Sequence, residues 1–567
     1  MAGLSSLPGG NAAVALGVAA RRRLTSEFTG TPLHRWNLAY PRPEGLAAAP
    51  RDLRPTDGET GRRILAGAFV FGGAGVTPGP RGDPFDRPSP DRRFAVALHR
   101  MGWLRDLLSL GDAGADEGLR LVLEWRRSFG RWNAFAWSPE VLERRVFNLA
   151  CAARAICARA SDAEIAVISL DLARQARFLL QADEGPARAA ERACAAAVAA
   201  TALAGRAGER LLARALRTLE RALPVSVTPD GGHASRSPQA ALELLFDLLT
   251  LDDALVQRGV AAPDEVMRAL DRLAAAVRFF TLADGKLAAF QGGEELTASY
   301  VAAARANDGM EDRAVPATRN GYHRLEARSL QVIADAAPPA EGPWSVTACA
   351  QPLAIEVLAG AKRLIVGGGW SPDAHAPQAM RLVDAASTVS VGDAACGEPV
   401  RGFSADVLGP RLAETYDAVD ARRHEAAGAL WLELAHDGWV KRFGLRHERR
   451  LYIDVAADEL RGEDVFTAAG AVKGPAGRRF VPFMVRFHLH PEVSALIARD
   501  KKSVLLKAEG QEHGWWLRND AIEVALEPSV HYQNGQARRS QQIVLRGQAR
   551  LDAGAKIRWK LSAAESR

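Results

Sequence analysis

Cysteine is scarce and unpaired. The five present (Cys151, Cys157, Cys194, Cys349 and Cys396) make an odd number with no C-x-x-C spacing. Three sit in Ala-rich helical text, where a buried free thiol is the ordinary reading, so a reduced, cytoplasmic chain is expected. Long apolar runs are also missing. No stretch approaches the ~20 apolar residues of a membrane span, so no transmembrane segment is expected. The short run Asn11 to Ala20 is followed by Arg21-Arg22-Arg23. A secretory signal carries its positive charge ahead of the apolar run, so this order predicts no signal peptide; the periplasm or cell envelope is the alternative location.

A dominant charge sign is lacking too. There are 73 Lys+Arg against 67 Asp+Glu, a net of +6. The first 100 residues hold 14 Arg and 8 acidic residues, so they carry the whole excess. This is not a nucleic-acid-binding composition, and it gives no support to a polyanion-binding groove elsewhere in the chain. Phosphate-loop, H-E-x-x-H and G-x-S-x-G motifs are absent, as are sustained heptads and solenoid repeats.

What is present describes a globular protein of several domains: 567 residues, 48% hydrophobic and 25% charged. Residues 1–92 are rich in Arg, Pro and Gly, and Gly72 to Pro90 reads as loop. From 93 to 315 the text is helical. Apolar residues recur at three and four, as in Val141-Leu142-Arg145-Val146-Leu149, and alanine dominates from Ala150 to Ala222. Short breaks such as Asp183-Glu184-Gly185-Pro186 imply an array of antiparallel helices. From 320 to 560 a period of two takes over, as in Leu430 to Leu434, Leu451 to Val455, Phe483 to Leu489 and Ile543 to Arg546. Turn signals at Ala359-Gly360, Asp437-Gly438 and Asn534-Gly535 separate such runs. Many short strands at this spacing predict a large antiparallel sandwich.

Several strings carry a more specific signal. They are Pro229-Asp230-Gly231-Gly232-His233-Ala234-Ser235-Arg236 before a helix, Asp284-Gly285-Lys286 to Gly292 at the end of the helical text, and Gly321-Tyr322-His323-Arg324-Leu325 at the start of the strands. His436-Asp437-Gly438, Arg442 to Tyr452 and Arg486-Phe487-His488-Leu489-His490-Pro491 follow. In this order, from about Trp125 to Arg546, they resemble the heparinase II/III-like family of polysaccharide lyases. The resemblance implies an incomplete α/α toroid carrying a substrate groove, then a β-sandwich. It implies β-elimination at a uronic-acid residue, with an acidic polysaccharide or oligosaccharide as partner. That reaction needs a donor to neutralise the uronate carboxylate, a base for the C5 proton and an acid for the leaving oxygen.

His233 matches the toroid position that contacts the carboxylate, in a Gly-rich turn opening a helix, where an anion is favoured. Arg236 is a candidate bidentate partner for the same carboxylate. The alternative is that His233, Ser235 and Ser237 only cap the helix. Tyr300 and Tyr322 are candidates for the phenol, because Phe279 and Phe280 stand where one is wanted; packing is the alternative for both. His436 and His447 flank a predicted hairpin and are candidates for the sandwich histidine, against a plain surface role. Asn133 and Trp137 are the members of an aromatic cluster best placed to reach a groove. In a helical array, tryptophans more often fill space between layers. Trp515 and Trp516 cannot both point inward on a strand. His488 and His490 share one strand face and could hold a structural zinc ion. Against this, Cys349 and Ala386 stand where the family carries two further histidines. The chain is therefore either a lyase or a homologue that has lost catalysis and acts as a carbohydrate-binding or structural protein.

Overall fold

The computed structural model describes residues 10–182, 184–309, 315–371, 374, 376–469 and 479–564. Helices occupy the first part: Pro139–Ile156, Asp162–Leu179, Ala189–Thr201, Gly205–Ser226, Pro238–Gln257 and Asp264–Phe280 pack on one another in sequence order or nearly so. Their ends follow the local chemistry. Ser161 and Glu164 form a reciprocal capping box, and Pro238 occupies the first turn behind the Ser237 cap. Every residue from Ala190 to Thr201 is buried, so this helix lies among its neighbours on all sides. Alanine makes that possible, since its small side chain lets helices approach closely.

The first ninety residues depart from the expected loop. Gly10–Thr29, Pro32–Ala39 and Gly58–Leu65 are helical, and only the short hairpin Phe69–Phe71 with Ala74–Val76 interrupts the loop that follows. Caps override composition here. Thr31 and Asp57 each accept a backbone N–H of the helix they open. Tertiary ties hold the segment down: Arg22 pairs with Glu184, and Arg177 donates to the Leu38 carbonyl at 2.6 Å.

Most of the strands form two large antiparallel sheets. One has eight strands and runs from Val419–Ala426 through Leu445–Asp454 and Ala555–Ala563 to Val493–Ile497. The other has nine, from Glu523–Gln533 through Phe480–Leu489 and Leu330–Asp335 to Thr318–Arg319. Leu325, Val332, Ile355 and Phe487 of the second sheet share one core with Leu432, Leu451, Leu517 and Leu561 of the first, as a sandwich requires. The Asn534-Gly535 turn joins its strands with both residues at positive φ, 50° and 73°, the turn this dipeptide favours. At Asp437-Gly438 the connection is longer than a tight hairpin and carries a helical turn, Val440–Phe443.

The nine-stranded sheet is covered on both faces. Strand Leu330–Asp335 is buried at all six positions. Leu330, Val332 and Ala334 enter the sandwich core, whereas Ile333 joins the core of the helical part together with Tyr322 and Leu358. The sheet is thus a wall shared by both halves, and its helix-facing side carries the polar residues that matter below.

Candidate functional site

The junction between helices and sheet gathers three of the expected residues, His233, Arg236 and Tyr322, and the chain's own groups surround them. Arg236, held at φ 62°, spends its guanidinium on the carbonyls of Asn320, Gly321, Ala337 and Pro338 and on the Asp335 carboxylate. It also lies over the Tyr322 ring, 4.7 Å from its centre. The Tyr322 hydroxyl donates to the Arg236 carbonyl at 3.0 Å, and burial pushes its pKa well up. This arginine fastens the helical region to the sheet and has no donor left for a carboxylate from outside.

His233 lies beside it, 3% exposed. Its Nδ1 is 2.7 Å from Ser235 Oγ and its Nε2 is 3.4 Å from Glu191 Oε1, with Trp344 edge-on. Burial pushes the Glu191 carboxyl up, but Arg188 and His233 outweigh it and hold the group below the usual range. His233 is therefore both a helix-entry residue and one half of a buried pair with Glu191.

The two sandwich histidines lie deeper than a hairpin surface. His436 Nε2 and His447 Nδ1 are 3.1 Å apart, and His447 Nε2 is 3.0 Å from Asp464 Oδ1. Arg449 and Trp559 donate to the same carboxylate at 2.8 and 3.1 Å. Burial, then the neighbouring His447 and Arg449 charges, push the His436 pKa well below its ordinary value. The chain of groups is sealed inside the sandwich at 2% exposure or less.

Tyr300 stands apart in the helical region, its hydroxyl donating to Glu243 Oε1 at 2.8 Å, and burial pushes its pKa up. Trp137 is core: its indole N–H donates to the Phe129 carbonyl at 3.0 Å and its ring meets Phe178 edge-on. Asn133 caps the turn below it by accepting the Ala136 N–H at 2.7 Å. Trp515 points into the sandwich and Trp516 outward, as strand alternation demands.

The zinc ion that the resemblance implies finds no ligand set at the family's positions. Ala386 has no donor atom, and the Cys349 Sγ makes a 3.7 Å contact to the Thr347 carbonyl. His488 commits Nδ1 to Ser529 Oγ at 2.7 Å, and burial, with the Arg486 charge, lowers its pKa to about 4. Cys349 and Ala386 instead line a cavity of about 10 Å³ at the junction, together with Gln291, Gly367, Trp370 and Met380. That is room for about one water molecule, against the ~300–1,000 Å³ of ordinary ligand pockets.

Two groups escaped the sequence reading. Glu295 sits in the connection between helices Asp264–Phe280 and Ala298–Arg305 and His531 on strand Glu523–Gln533, 236 positions apart in the chain, and they meet with His490. Only the fold brings them together. A wider hollow of about 570 Å³ opens on the outer face of the eight-stranded sheet, where Arg450, Arg461, Arg518, Arg558 and Lys560 alternate with Glu463 and Asp520, and Glu463 pairs with Arg450 and Arg558.

Comparison with known proteins adds to this picture. The model of the family described as heparinase II/III-like, C-terminal, matches residues 311–560. FtsZ-localized protein C of Caulobacter vibrioides is 53% identical over 544 residues, covering 95% of this chain and 94% of its own. Among solved structures, heparinase III superimposes with a TM-score of 0.66 at 14% identity, covering 85% of this chain and 79% of its own. A heparan sulfate lyase from Pedobacter heparinus gives 0.58 at 14% identity, over 94% and 87%. These likenesses establish the fold of a helical toroid followed by a sandwich.

Proposed function

The chain belongs to the heparinase II/III-like family, and we propose that it uses the family's fold as a non-cleaving scaffold that acts together with FtsZ. The observation that carries this reading is how the candidate catalytic groups are engaged. A lyase needs a carboxylate receptor, a base and an acid that are free to meet a substrate. Three of the groups that would do the chemistry are held within the chain, Arg236 on Asp335, Tyr322 on Arg236 and His447 on Asp464, and His233 is buried with its Nε2 3.4 Å from Glu191. β-Elimination needs groups that reach a substrate and change protonation during the reaction. None of these pairs is open to solvent, and breaking any of them strands a buried polar group or charge.

The partner comes from the relative's name, FtsZ-localized protein C, and from the extent of that likeness, 94% of its length. A lyase acting on an acidic polysaccharide is the second reading, favoured by His233 standing where the family's substrate contact stands. Two measurements separate them. Incubation with a panel of uronic-acid polymers should give no rise in ultraviolet absorbance from unsaturated product. A fluorescent fusion should co-localise with FtsZ, and the purified chain should co-sediment with FtsZ filaments. Unsaturated product without FtsZ association would reverse the assignment.

A further inference from the structure

We infer that Glu295, His490 and His531 form a binding site for one divalent transition-metal ion of the zinc type, at a place distinct from the family positions occupied here by Cys349 and Ala386. The three side chains come from the connection between helices Asp264–Phe280 and Ala298–Arg305, the end of strand Phe480–Leu489 and strand Glu523–Gln533, and each is at most 4% exposed. Glu295 Oε2 is 3.1 Å from His490 Nε2 and 3.1 Å from His531 Nε2. The edge of a tetrahedron built on metal bonds of about 2.0–2.1 Å is about 3.3 Å, close to both carboxylate–imidazole separations, and the three ligand atoms lie within 4.8 Å of one another. Two imidazoles and one carboxylate are a donor set that zinc favours, with a fourth position left for water.

The hydrogen bonds around the triad say what belongs in it. The His531 Nδ1 is 2.9 Å from the Gly367 carbonyl, which can only accept, so this nitrogen carries a proton. In the neutral ring, Nε2 is then a bare lone pair aimed at Glu295 Oε2, itself only an acceptor. Two acceptors 3.1 Å apart in a buried layer require a positive centre between them. The carbonyl on Nδ1 is also the outer partner that commonly orients a metal-bound histidine.

The second carboxylate oxygen is fixed independently. Glu295 Oε1 accepts from Lys286 Nζ at 2.5 Å and from Gln533 Nε2 at 2.7 Å. That leaves Oε2 as the ligand, with Arg363 Nε 3.8 Å away. Arg363 is mainly engaged by Asp284 and Glu356, at 2.6 and 3.3 Å. Arg363 thus holds Asp284 and Glu356, and burial pushes the Glu356 carboxyl up, so Glu295 Oε2 is left to the two imidazoles. Loading asks for one local change: the Glu492 N–H gives up its long 3.3 Å bond to His490 Nδ1, because the metal-bound ring carries its proton there.

The full chain, stripped with chelator, is titrated with zinc ion alone by calorimetry, and metal content is measured after gel filtration. One zinc per chain is expected, with a higher melting temperature than the stripped protein. His531→Gln and His490→Gln should each reduce retained zinc to background, whereas His488→Gln should keep it. X-ray absorption of the zinc-loaded natural chain guards against variants that fail to fold, and should show nitrogen and oxygen neighbours without sulfur. No zinc retained by the natural chain would overturn the inference and mean that a proton fills the gap on His531. Zinc that survives His531→Gln, zinc lost with His488→Gln, or a sulfur neighbour from Cys349 would overturn it as well. None of these readouts depends on FtsZ, so this inference stands or falls apart from the scaffold proposal.

Discussion

Arg236 and Asp335 are joined by an ion pair of 2.5 Å that crosses from the entry of helix Pro238–Gln257 to the last residue of strand Leu330–Asp335. Asp335 is 1% exposed and Gln291 donates to its other oxygen, so the pair is sealed on every side. The residue that reads as a substrate clamp in the sequence is a clamp between two parts of the same chain.

The first expectation follows from that burial. Arg236→Ala leaves the Asp335 charge buried with no cation and opens four carbonyl contacts, so it should cost about 3–5 kcal/mol of stability. Arg236→Lys restores the charge but not the planar fork, and should recover only part of the loss. Chemical denaturation of the three proteins measures both effects. Equal stability of all three would rule out the clamp.

His233→Ala should act on stability and leave chemistry silent. It strands Glu191 without its imidazole neighbour and removes the partner of Ser235, a loss of about 1–3 kcal/mol. The ultraviolet assay on uronic-acid polymers should read zero before and after the substitution. A product signal that disappears in the variant would restore the catalytic role.

Acid should weaken the fold well before carboxylates titrate. Burial is the main reason that His99, His323 and His488 are each lowered to about 4. Nearby Arg145, Arg423 and Arg486 charges add to the effect. Their unfolded value is about 6.5, so the unfolded chain holds the extra protons between these limits. The stabilisation is complete above about pH 6.5 and is lost as the pH falls toward 4. Denaturant midpoints should therefore drop between pH 7 and pH 5; a flat profile would contradict the burial of these rings.

Gly462→Ala tests the packing of the sandwich. A Cβ on Gly462 would overlap the Trp559 ring, whose indole N–H is tied to Asp464 at 3.1 Å and cannot simply swing away. One added methyl should cost about 1–3 kcal/mol by overpacking. Thermal unfolding measures it, and an unchanged midpoint would show that Trp559 relocates freely.

Much of the architecture was legible because it rests on periodicity. Phe483 to Leu489 and Ile543 to Arg546 alternate as strands do, and they pair in the nine-stranded sheet. Asn534-Gly535 marks its own turn. The helix Gly10–Thr29 has helix-forming Ala, Leu and Arg text and was masked only by the Pro- and Gly-rich residues after it, whereas Pro32–Ala39 depends on its Thr31 cap and on Arg177. The site was less legible than the fold. A sequence shows that His233 and Arg236 lie near a helix start, but not that Glu191 and Asp335 are waiting for them. Glu295 carries no local signal, and its meaning comes from His490 and His531, which only the sheet brings within reach.

The shared wall has a consequence for how the molecule comes apart. Because strand Leu330–Asp335 contributes alternate side chains to two cores, neither half can shed the other without exposing apolar surface and unpaired charge together. Heating should accordingly give one calorimetric transition for the whole chain. A fragment cut between residues 305 and 318 should yield neither half in soluble form, as though the boundary visible in the sequence were no boundary to folding.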